Sequence, residues 1–119
     1  MIMRSALVLG IDPHLVPGMD GDAIRAALDA ELARFADHGI EASMTLVGLN
    51  ESAEPALVDA LRERAWDVVV IGGGIRKPEP LLTFFELVVN LVRQHAPGAA
   101  IAFNTTGGDS VDAAQRWLS

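Results

Sequence analysis

Short apolar runs alternate with longer amphipathic stretches four times along the chain. Ala6 to Gly10 is a continuous apolar run closing in Gly-Ile-Asp-Pro, the pattern of a strand buried on both faces of a parallel sheet. After it, Ile24, Leu28, Leu32 and Phe35 recur at helical spacing, with Asp20 placed to cap the helix and Gly39 to stop it. Ile40 to Leu49 predicts a second strand, and Asn50 to Ser52 with Pro55 predicts the start of a second helix. That helix lays Leu57 and Leu61 on one face and is expected to end near Trp66. Asp67 to Ile71 is the strongest strand pattern in the chain and is closed by three glycines. A third helix is expected after Pro78 and Pro80, running to about His95, where Ala-Pro-Gly forbids continuation. Ala99 to Phe103 predicts the fourth strand. Asp109 with Asp112 resembles a capping box that opens a last helix through Trp117 and Leu118.

Strands that alternate with helices of this length pair in parallel, because each crossover must pass over a face of the sheet. The expected fold is a single α/β domain over residues 1–119. It is a three-layer, doubly wound structure with a four-stranded parallel sheet in the flavodoxin-like order 2-1-3-4. In that order the first and third strands are neighbours at the switch point. The loops leaving their carboxyl ends open a crevice where ligands of such sheets bind.

Charge narrows the classes of partner. Nine basic and sixteen acidic side chains leave a net charge of −7, which repels nucleic acid and anionic membrane surfaces. The chain has no cysteine, which excludes disulfides, thiolate metal sites and thiol nucleophiles, and no metal site is read elsewhere. The apolar run Ala6 to Ile11 stops at Asp12, short of a signal-peptide core or a membrane span, so a cytoplasmic protein is expected. The third helix is apolar around most of its circumference, with a narrow polar stripe of Thr83, Glu86, Asn90 and Arg93. Such a helix calls for cover on more than its sheet face, either from the last helix or from a second copy, and a homodimer through residues 81–95 is expected.

Three loops should converge at the crevice. The first carries Asp12 and His14, the second Gly72, Gly73, Gly74, Arg76 and Lys77, and the third Asn104, Thr105 and Thr106. The triple glycine either forms an anion-binding nest of backbone amides, helped by positive φ, or simply makes a sharp turn. Arg76 suits a planar fork on a carboxylate or phosphate, with Lys77 as a point charge; the alternative is an ion pair between Arg76 and Asp12. Asn104 and Thr105 offer groups for a neighbouring polar moiety, or satisfy their own turn. His38 and His95 fall at helix C-termini, where the macrodipole accounts for them. His14 is left as an acid–base group or a ligand, with no evident nucleophile beside it. These residues point to an anionic small molecule held at the strand ends. The competing readings are a ligand-free, dimeric interaction module and, behind it, a proton-transfer enzyme; no cofactor is assigned.

Known families bear on these readings. A receiver domain resembles the chain in outline, but its acidic pair and phosphoacceptor aspartate have no counterpart here. Flavodoxin shares the expected sheet, yet its serine- and threonine-rich phosphate loop is replaced by Asp-Pro-His-Leu-Val-Pro-Gly. Asp12, His14 and Gly18 resemble the Asp-x-His-x-x-Gly signature of cobalamin-binding domains, with one residue too many before the glycine. That resemblance implies His14 as a lower axial cobalt ligand oriented by Asp12. More broadly, Gly-Ile-Asp-Pro, Val-Ile-Gly-Gly-Gly-Ile-Arg and Ala-Pro-Gly-Ala-Ala-Ile-Ala-Phe-Asn-Thr resemble a family of small bacterial and fungal flavodoxin-like proteins. This implies a shared fold centred on Arg76 and Asn104, and implies no particular reaction.

Overall fold

The computed structural model describes residues 3–118. Four parallel strands, β1 (Arg4–Ile11), β2 (Ile40–Val47), β3 (Val68–Ile71) and β4 (Ala100–Phe103), form one sheet in the order β2-β1-β3-β4. The register sets Ala6 against Ala42 on one side and Val68 on the other, and Val68 in turn against Ala100. This is the expected doubly wound sheet. β3 is buried at every residue because it lies inside the sheet with helices on both faces.

Helices α1 (Gly21–Asp37) and α5 (Ser110–Gln115) cover one face around Phe35, Val68, Val70 and Val111. Helices α2 (Ala53–Arg62), α3 (Gly73–Arg76) and α4 (Leu82–His95) cover the other around Leu57, Leu61, Val69, Ile71, Ile75 and Val88. Each large aliphatic side chain so enclosed contributes about 1.5–3 kcal/mol relative to exposure. Alternate residues of one strand feed opposite cores, so Leu7 and Leu9 face α2 and α4 while Ala6 and Val8 face α1 and α5.

Local signals placed most boundaries. The Asp20 side chain accepts from the Ala23 amide at 3.1 Å, and Gly39 takes φ +73° where α1 ends. Four expectations change. β2 stops at Val47, and Leu49 turns out to solvent at 56 % exposure. Trp66 lies beyond α2, buried, and its indole N–H donates to the Ala60 carbonyl at 2.9 Å. The loop after β3 is one helical turn, α3, preceded by Gly72.

The fourth change concerns α5. The expected capping box does not form, because the Asp109 carboxylate turns back onto Thr105 and Thr106. Its capping role passes to Glu31 of α1, whose Oε2 accepts from the Val111 amide at 2.9 Å. α5 also ends at Gln115, before Trp117.

α4 packs against α2 and α3, and its Phe85 meets Phe103 of β4 edge to face at 5.7 Å. α5 lies on the opposite face of the sheet and so does not supply the cover considered for α4. Leu82 stays exposed, and Phe85 and Val89 half-buried. Among the described residues, no helix is long and apolar enough to cross a membrane.

Candidate functional site

The three predicted loops do meet at the carboxyl end of the sheet, but they divide into two groups. On the β3/β4 side, Asn104 is buried at the end of β4. Its side-chain oxygen accepts from the Gly73 amide at 3.1 Å and from Arg76 Nη2 at 3.0 Å, and its amide nitrogen donates to Ser110 Oγ at 3.0 Å. One side chain thus joins β4, α3 and α5, with a partner for each of its polar atoms. A buried amide with every partner in place rigidifies its surroundings.

Arg76 completes this clamp. Its Nε donates to the Ile71 carbonyl at 2.8 Å, its Nη2 also donates to the Asn104 carbonyl, and its guanidinium lies 4.9 Å from the Phe103 ring centroid. The expected alternative, an ion pair with Asp12, is not formed. All of its partners are neutral. Burial lowers its pKa from the usual arginine value, and the more distant Asp109 carboxylate partly opposes that effect. Lys77 reaches across to the Thr105 carbonyl.

The glycines serve close approach rather than an anion nest. None of Gly72, Gly73 and Gly74 has positive φ. A Cβ on Gly72 would stand 3.0 Å from the Leu9 carbonyl oxygen, which accepts from the Gly72 amide at 2.8 Å. With the Gly73 amide on Asn104, only the Gly74 amide of the three is free of an acceptor. Thr105 gives its amide and hydroxyl to Asp109, and the Thr106 amide donates there at 2.9 Å. Burial pushes the Asp109 carboxyl up, but these hydrogen bonds outweigh it and hold the group below its ordinary value.

The β1 side is open and charged. After β1, residues Pro13–Leu15 form a short 3₁₀ turn capped by the Asp12 carboxylate, which accepts from the His14 amide at 3.0 Å. His14 Nδ1 lies 3.3 Å from Asp12 Oδ1, and Nε2 lies 2.8 Å from Asp22 Oδ1 in the first turn of α1. The hydrogen bond to Asp22 raises the imidazole pKa above its usual value, and Asp12 adds to the effect. The ring rests on Gly21, where a Cβ would come within 2.7 Å of it.

This arrangement does not fit cobalamin. Asp12 takes Nδ1, which leaves Nε2 as the atom for a lower axial bond, and that atom is held by Asp22. Nor is there a group of three or more such side chains disposed to hold a metal ion among the described residues.

Four contributors escaped the sequence reading. Asp22, Phe103 and Ser110 carry no local pattern that marks them. Glu31 does, because it sits between Leu28 and Phe35 on the apolar stripe of α1, and a carboxylate there announces a buried partner. No family model and no curated protein matches the chain, so its own chemistry carries the functional reading.

Proposed function

We propose that the β3/β4 side of the crevice binds an anionic small molecule bearing a phosphate or carboxylate, with Arg76 and Lys77 as its cationic wall. The observation that carries this reading is the state of Arg76. It is the one lysine or arginine among the described residues that is not exposed, and no carboxylate pairs with it. A half-buried cation held only by carbonyls, an amide and an aromatic face retains most of its field, and an incoming anion gains from it. Its Nη1 has no acceptor among the described residues, so the planar fork is not saturated. The neighbouring Lys77 ammonium supplies a second charge. Asn104 then acts as the group that orients Arg76, and Thr105 as the floor under Lys77, rather than as direct contacts.

A thermal-shift panel of phosphate, pyrophosphate, sugar phosphates and small dicarboxylates tests this. A ligand at about 100 times its dissociation constant adds about 2.7 kcal/mol, which moves the midpoint by on the order of ten degrees. Lys77→Ala, an exposed position, is expected to weaken the shift without changing the unliganded midpoint by more than about 0.5 kcal/mol equivalent. If no anion moves the wild type, the reading fails.

A second reading, a homodimer through residues 81–95, draws support from the flank of α4 that borders β4. Leu82, Phe85, Val89 and Phe103 leave apolar surface there, and Phe103 is 41 % exposed. β4 is an edge strand with outward-facing backbone groups, which a second copy related by a twofold can pair. Sedimentation equilibrium of the wild type against Phe103→Asp decides it: a dimer abolished by the substitution supports the reading, and a monomer at all concentrations removes it.

A further inference from the structure

We propose that the groove between the starts of α2 and α4 is a docking site for a basic, amphipathic helical segment of a partner protein. This surface shares no residue with the anion wall and stands or falls separately from it.

The groove has a volume of about 660 Å³ and opens at the carboxyl end of the sheet, beyond β2. Leu49, Pro55, Leu81, Phe84 and Leu87 give it an apolar lining, and Glu51 and Glu54 stand at its rim. Leu49 is 56 % exposed, and Leu81, Phe84 and Leu87 are half-buried. That space accommodates several side chains rather than one, and an amphipathic helix presents apolar anchors at i, i+3 or i+4, and i+7 to a trough of this kind.

Charge selects the occupant. Of the residues that line the groove, which fall within 49–55 and 81–87, Glu51 and Glu54 are charged, and these two segments hold not one lysine, arginine or histidine. The nearest cations in sequence, Arg76 and Lys77, are turned toward Asn104 and Thr105. A second copy of this chain seated groove to groove would bring the same two carboxylates, Glu51 and Glu54, so like charges would face each other. A segment with apolar anchors flanked by arginine or lysine meets the lining and the rim together. The rim charges then steer encounter, and the anchors supply affinity.

The probe is a synthetic peptide of about 14 residues with leucines at i, i+3, i+4 and i+7 and arginines elsewhere. Its control has the same composition in scrambled order. Binding is followed by calorimetry and by amide chemical-shift mapping. The expected result is saturable binding that perturbs residues 49–55 and 81–87. The scrambled peptide should bind at least tenfold more weakly, and affinity should fall as salt rises. Glu51→Lys with Glu54→Lys should weaken it at least tenfold, and so should Leu49→Gln, which alters an exposed position and leaves the fold intact. Equal binding of the scrambled peptide overturns the proposal, as does equal affinity in either variant. So do perturbations centred elsewhere, no binding at all, or concentration-dependent broadening of the groove resonances without peptide, which would make a second copy the occupant.

Discussion

The two sides of the carboxyl rim use the same kinds of residue to different ends. On the β3/β4 side, Asn104 and Arg76 bury a network of neutral acceptors that ties three elements together. On the β1 side, His14 bridges Asp12 and Asp22 through charged groups that water still reaches. The first arrangement carries fold stability because its polar atoms have nowhere else to turn. The second carries little, since water and salt screen exposed ion pairs. Residue type alone therefore does not mark a ligand site; Arg76 differs from His14 in being half-buried with only neutral partners, whereas His14 is answered by two carboxylates.

The largest test of this contrast is Asn104→Ala. It strips acceptors from the Gly73 amide and from Arg76 and leaves Ser110 without its donor, so a loss of about 2–4 kcal/mol is expected in urea unfolding. A loss no greater than that of an exposed-loop substitution would show that the clamp is incidental. Next comes Glu31→Ala, which uncaps α5 at Val111 and should cost about 1–2 kcal/mol, with hydrogen exchange rising first in residues 110–115.

Smaller effects appear on titration. Because the Asp109 carboxyl is held below its ordinary 3.8, the stability it adds is present above that pH and disappears as the pH falls through the lowered value. Asp109→Asn should flatten that acid limb. His14 has the opposite sign. Its pKa lies above 6.5, so its contribution is complete below that pH and disappears as the pH rises through the raised value. Asp22→Asn should bring the imidazole midpoint back down in a proton NMR titration while barely moving the unfolding midpoint. A large stability change there would erase the distinction between the two sides.

Much of the fold was legible in the sequence because its signals are local. Buried strands read as apolar runs, Asp20 and Gly39 bound α1, and four strand–helix units leave few ways to order a parallel sheet. The glycines after β3 were harder. The sequence shows permissive residues, whereas their use is set by the approach of Leu9 and by the Asn104 side chain, both distant in sequence. The last helix misled for the same reason, since the carboxylate that caps it lies in α1 and the local Asp109 serves the loop instead. Arg76 and Asn104 were both placed at the crevice from the sequence, and the structure brings them into contact. Their bond to each other was not visible, because nothing in either segment encodes the separation across the sheet.

Side-chain ¹⁵N NMR of arginine during a phosphate and pyrophosphate titration tests the central claim most directly. The Arg76 guanidinium resonances are expected to shift saturably, Lys77→Ala to weaken the response, and the His14 imidazole to stay where it was. Arg76 resonances that remain unmoved while an anion binds elsewhere, or a response centred on His14, would contradict it.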